Sequence, residues 1–187
     1  MATYTRIRRQ QLLQEAEGYL DLAMVLSDKF PLSNAARDRI TRRALDTLQK
    51  LECKARSGTR ALLLKDQALR VMERYREAIE PLQRAAEQNS GNIQAHLALG
   101  WCYKRINKID YAIQSLEDAL ACDDDDAIVH YNLACYWSLA NNVGLALVYL
   151  AQAFDLKPDY REMVANEPDF DPVRNHPEFV ALTSVIV

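Results

Sequence analysis

Few residues in this chain have the type and spacing to do chemistry. The histidines are His96, His130 and His176. Two imidazoles such as His96 and His130 can begin a metal site, but Cys102 and Cys135 do not share their spacing. Packing, not ligation, is the expected role of His96 and His130, and His176 sits in a Pro-rich turn. Cys53, Cys102, Cys122 and Cys135 form no C-x-x-C pair and lie in helical, apolar surroundings. They read as buried free thiols of a reducing compartment, not as a disulfide or zinc framework. The run Asp123 to Asp126 invites a calcium reading. A calcium loop needs alternating ligands, a central glycine and a terminal glutamate, and that spacing is missing. The run instead precedes a helical pattern beginning at Ala127, where Asp126 or its neighbour can accept from free N–H groups at the positive helix end. Ser57-Gly58-Thr59-Arg60 lacks the glycine and the Gly-Lys-Ser/Thr ending of a phosphate loop and reads as a turn. With no G-x-S-x-G and no H-E-x-x-H, the expectation is a non-enzyme with no catalytic residues, no metal and no cofactor.

What remains is an architecture. The 187 residues can bury a continuous core in one or two domains. Five glycines and six prolines are too few for the many turns of an all-β fold and point to helices with short connections. The formal charge of −3 argues against a general nucleic-acid binder. That charge is uneven, +5 over residues 1–60 and −8 over residues 61–187. The start of the chain has no apolar stretch of a secretory signal's length. The run Leu22 to Leu26 falls far short of the roughly 18 residues of a membrane span. A cytoplasmic protein is expected, with no membrane insertion. Tyr4 to Gln14, with Ile7, Leu12 and Leu13 among Arg6, Arg8 and Arg9, reads as the start of the first packed helix.

Sliding the chain along itself until His96 meets His130 also aligns Leu99 with Leu133, Gly100 with Ala134 and Tyr103 with Trp137. At that same offset Ala78, Ala112 and Ala146 form a column, as do Leu82, Leu116 and Leu150, Ala85, Ala119 and Ala153, and Ile79, Ile113 and Leu147. Within one period, Leu99, Tyr103 and Ile106 define one helix face. Beyond the polar break Asn107-Lys108, Ala112, Ile113, Leu116, Ala119 and Leu120 define a second. Small residues at Gly100 and Ala112 let the two axes approach closely. Each such hairpin leaves an apolar side that must stack on the next.

These residues resemble the tetratricopeptide repeat family. The match is full in 127–160, through His130, Leu133-Ala134, Trp137, Ala146, Leu150, Ala153 and Pro158. It is nearly full in 93–126, where Asp124 replaces the proline. In 59–92 the second helix matches while Lys65-Asp66 replace Leu-Gly, which predicts looser or water-exposed packing there. Tyr19, Leu22 and Ala23 with Ala44, Leu48 and Leu51 resemble an earlier, degenerate repeat. About nine extra residues are expected in it around Lys29–Asn34, centred on Pro31. The resemblance implies an all-α, right-handed superhelical solenoid. Its parts are an N-terminal hairpin over 1–58, repeats 59–92, 93–126 and 127–160, and a degenerate cap over 161–187 ending in an apolar tail.

The resemblance also implies a concave groove lined by the first helix of each repeat, in which a protein or peptide partner binds without catalysis. On this chain the lining is Arg70, Leu97, Trp101, Lys104, Arg105, Ile128, Tyr131 and Asn132. Trp101 lies about 200° around the helix from Tyr103, so the two cannot share a face, and Trp101 is expected in the groove. An apolar patch edged by Lys and Arg suits an apolar segment carrying an acidic group. Some family members clamp the C-terminal carboxylate of a chaperone with Lys, Asn and Arg. Here only Asn132 matches that set, which speaks against that function. The alternative is a self-assembling structural or assembly-chaperone subunit, a homo-oligomer using the charge asymmetry and Val185-Ile186-Val187.

Overall fold

The computed structural model describes residues 2–29, 32–52 and 58–184. Pro31, Cys53, Ser57 and the tail Val185-Ile186-Val187 lie outside the described residues. Among the described residues the chain is all-α, with no strand, and it divides into two compact units, residues 1–90 and 91–187.

The first unit holds α1 (Ala2–Lys29), α2 (Asn34–Glu52), α3 (Thr59–Val71) and α4 (Tyr75–Gln88). Leu12, Ala16, Leu20 and Ala23 recur at three- and four-residue spacing and are all buried, as are Ala44 and Leu48 on α2. These faces close α1 on α2 and on α3, while α3 pairs with α4. Of the basic N-terminal segment, Leu12 and Leu13 enter the core and Ile7 remains exposed. At least part of the extra length of this first hairpin lies in its described helices. α1 runs to Lys29, α2 starts at Asn34, and the Ser33 hydroxyl and carbonyl both accept from Ala36 N–H at its start.

Asp66 is not water-exposed, contrary to the sequence expectation. It is 1% exposed, and the Arg70 Nε–H is shared between its two oxygens at 2.9 and 3.0 Å. Burial raises the Asp66 pKa to about 6, with Arg70 opposing the shift by charge and by hydrogen bonding. A cleft of about 470 Å³ lies among α2, α3 and α4, lined by Leu45, Leu48, Lys65, Leu69 and Arg76 among others. Pro81 lies inside α4, where its missing N–H leaves one helical carbonyl without its usual donor.

The second unit contains α5 (Ile93–Arg105), α6 (Ile109–Leu120), α7 (Ala127–Leu139) and α8 (Val143–Leu156). A short α9 (Tyr160–Val164), a 3-10 turn (Pro168–Phe170) and α10 (Pro177–Thr183) complete it. Three of its helices start on a side-chain cap: Asn92 accepts from Ala95 N–H, Asn142 from Leu145 N–H, and Asp126 from Ile128 N–H at 3.1 Å. The aspartate run therefore caps α7. Asp123 also accepts from Asp125 N–H. At Gly100 a Cβ would lie 3.1–3.3 Å from Leu116 and the Ala112 carbonyl, so the two helices cross here with little room for a side chain.

The columns of the sequence repeat are the buried seams. Ala78, Ala112, Ala146, Leu82, Leu116, Leu150, Ala85, Ala119 and Ala153 are all 0% exposed. The turn inside each hairpin repeats as well. Glu73, Asn107 and Asn141, which fall in one further column of the repeat, have φ of 58°, 58° and 57°. In each case the next amide donates across the turn: Arg74 to Leu69, Lys108 to Tyr103 and Asn142 to Trp137, at 2.8–2.9 Å. This left-handed helix stop is comfortable for Gly or Asn and costs other residues about 1 kcal/mol. Glu73→Gly is therefore expected to stabilise the first unit by about 0.5–1 kcal/mol, read by thermal denaturation. The exposed 3.7 Å pair it gives up with Arg37 is worth little.

Candidate partner-binding face

On α5 the residues Leu97, Trp101, Lys104 and Arg105 follow one another at i, i+4, i+7 and i+8, which places them on one helix face. On α7 Ile128, Tyr131, Asn132 and Cys135, at i, i+3, i+4 and i+7, likewise share one face. Leu97 and Ile128 are half-buried against the core of the second unit. Trp101 is also half-buried, with the Arg105 guanidinium 5.7 Å from its ring centroid. Asn132 is partly exposed and Arg105 is exposed. Arg70 belongs to the first unit, where it serves the buried Asp66.

Two of the expected groove residues are covered. Tyr131 is 2% exposed, stacked on Tyr160 at 4.8 Å between ring centroids and meeting the edge of Phe170 at 5.7 Å. The Lys104 ammonium is paired with the Asp169 carboxylate and lies 5.8 Å from the Tyr136 ring. The cover is the chain's own C-terminal segment, with the 3-10 turn Pro168–Phe170 packed on α7. Phe170 is 0% exposed and packs in turn on Phe179 of α10, at 5.4 Å.

The segment is held from behind. The Arg174 guanidinium donates to the carbonyls of Val164, Ala165 and Glu167 at 3.2, 3.2 and 2.6 Å, and to the Asp171 carboxylate. The Glu167 carboxylate accepts from Asp169 N–H, which orders the turn that presents Asp169 and Phe170. Burial, reinforced by the negative charges of Glu167 and Asp169, pushes the Cys135 thiol and the Tyr131 phenol well above their usual ranges. Tyr136 is raised for the same main reason, burial. These groups stay neutral near pH 7, and the working charges of the face are Lys104, Arg105 and the carboxylates of 167–171.

Elsewhere, His130 is buried with Nε2 2.7 Å from the Asp124 carbonyl, and His96 is buried. Among the described residues no group of three or more His, Cys, Asp or Glu side chains is placed to hold a metal ion. No helix among them is long and apolar enough to cross a membrane. Asp169 and Phe170 are the residues that sequence reasoning missed. In the sequence, Glu-Pro-Asp-Phe-Asp signals only an acidic, proline-containing turn, and nothing in it points to α5 or α7.

Paired antiparallel helices with an alanine–leucine–alanine seam, and a left-handed stop recurring once per period, define a helical-hairpin repeat protein. The tetratricopeptide repeat family model matches residues 71–134. The chain carries tetratricopeptide repeats, and its fold is that of tetratricopeptide repeat proteins. Among solved structures, YrrB, described as a TPR protein with an unusual peptide-binding site, superposes with a TM-score of 0.60 at 20% identity. That match covers 86% of this chain and 94% of YrrB. MamA superposes with a TM-score of 0.62 at 18% identity, covering 84% of this chain and 88% of MamA. A MamA double mutant gives 0.61 at 16% identity, over 91% and 93%. No curated relative matches the sequence.

Proposed function

We propose that the chain is a non-catalytic interaction module and that the face shared by α5 and α7 receives an extended segment of a protein partner. The observation that carries this reading is Trp101. An aromatic ring on a helix face, half-buried beside Leu97 and overlaid by Arg105, has the composition that dominates binding hot spots. Asn132 and Ile128 extend the face along α7. Arg70 belongs to the first unit and is engaged by Asp66, so the proposed face is that of the second unit alone. The tetratricopeptide fold and the peptide-binding site named for YrrB support this reading over a catalytic one.

The test is affinity capture from the native cell with mass spectrometry, comparing the full chain with a Trp101→Ala, Arg105→Glu variant. The variant is expected to lose the polypeptides that the wild type retains while keeping its circular dichroism spectrum. Equal capture by both proteins sinks the assignment of the face.

A further inference from the structure

We infer that the second unit's binding face reads a Pro-Asp-Phe type of segment, and that the chain's own Pro168-Asp169-Phe170 is its resident occupant, displaced when a partner presents the same chemistry. The inference rests on the proposed binding face and names the partner's recognition element. Its support is the match between face and occupant. Where the segment docks, the face offers the Lys104 ammonium from α5 and the Tyr131 ring from α7. The segment supplies one carboxylate to the first and one ring to the second.

Proline reduces the loss of freedom on binding, because it fixes its own φ before docking. Asp169 N–H is held by Glu167, so the acidic and aromatic side chains are presented from a preformed turn.

The holding contacts are separate from the contacts with the face. Arg174 grips three carbonyls and Asp171, whereas Lys104 and Tyr131 receive Asp169 and Phe170. A tethered occupant acts at an effective concentration of order mM and suppresses a free competitor of the same sequence. Loosening the tether behind the face therefore unmasks it for a second segment.

The probe is a fluorescently labelled peptide of residues 166–173, Asn-Glu-Pro-Asp-Phe-Asp-Pro-Val, titrated by anisotropy against the full chain. Wild type is expected to bind it weakly. Arg174→Ala, which releases the turn without touching the face, and Asp169→Lys, which repels Lys104 from the resident segment, are each expected to bind at least tenfold more tightly. Adding Lys104→Glu to Arg174→Ala is expected to reverse that gain, and a peptide carrying Lys in place of its Pro-Asp-Phe aspartate restores it. Hydrogen exchange at 168–170 reports release of the segment in each variant. No tenfold gain in either variant overturns the inference, as does a gain that Lys104→Glu leaves unchanged; the segment is then a structural cap only. If the Trp101→Ala, Arg105→Glu protein still loses its captured polypeptides, the binding face stands and only the identity of its ligand falls.

Discussion

Replacing Phe170 with Ala is expected to destabilise the second unit by about 3–5 kcal/mol, the usual cost of deleting a fully buried ring. Phe170 is 0% exposed and touches both Tyr131 and Phe179, so its removal opens a cavity that joins α7 to α10. Both tryptophans, Trp101 and Trp137, belong to residues 91–187, and their fluorescence reports this unit alone during urea denaturation. The expected record is a large fall in the tryptophan midpoint. A loss below about 1 kcal/mol would show that the ring lies outside the core, since truncation of buried aromatics does not come that cheaply.

Arg70→Ala is expected to cost the first unit about 3–5 kcal/mol at pH 7.5, because it strands a buried carboxylate without its cation. The cost depends on pH in a direction that the Asp66 shift fixes. Asp66 titrates near 3.8 when unfolded and near 6 when folded, so the native state holds its proton more tightly. Its contribution to the first unit is therefore most favourable below about pH 4, and roughly 3 kcal/mol is lost as pH rises through 6. At pH 4 Asp66 is neutral in the folded state, and Arg70→Ala costs little. Asp66→Leu with Arg70→Met, two apolar residues of similar volume, is expected to match or exceed wild-type stability at pH 7.5. Hydrogen exchange at the α3 amides, followed from pH 4 to pH 8, reads all three proteins. A pH-independent Arg70→Ala cost contradicts the role given to Asp66.

The repeat seams were legible because close helix crossings admit only small residues. Ala78, Ala112 and Ala146 had to recur where backbones meet, and they are fully buried. Of the turn column only the polar break Asn107-Lys108 was read; Asn107 and Asn141 suit left-handed stops, but Glu73 in the third place obscures the pattern. Asp126 was readable as a cap, since an N-cap needs only a carboxylate just before an apolar period. The length of α1 was not readable, because an extension of solvent-facing helix and a loop share the same polar composition. Burial of Asp66 also escaped the sequence, since its acceptability depends on Arg70 one helical turn on and on what packs around both.

The face of α5 was readable from helix geometry, which forces Trp101 and Tyr103 onto opposite sides. Its occupant was not, because a pairing as distant in the chain as Lys104 to Asp169 leaves no local pattern. The proline-rich segment advertises only a turn; that its turn delivers a carboxylate and a ring to α5 and α7 is a property of the folded cap.

Site-specific photocrosslinking in the native cell tests the central claim most directly. A photoreactive side chain placed at Leu97 or Trp101 is expected to give a covalent adduct with another polypeptide. The same group at Tyr111 or Val148, exposed on the second helices of the two hairpins at 59% and 54%, is expected to give none. Adducts from positions 111 and 148 but not from 97 and 101 would contradict the account and move the binding surface to the opposite helices.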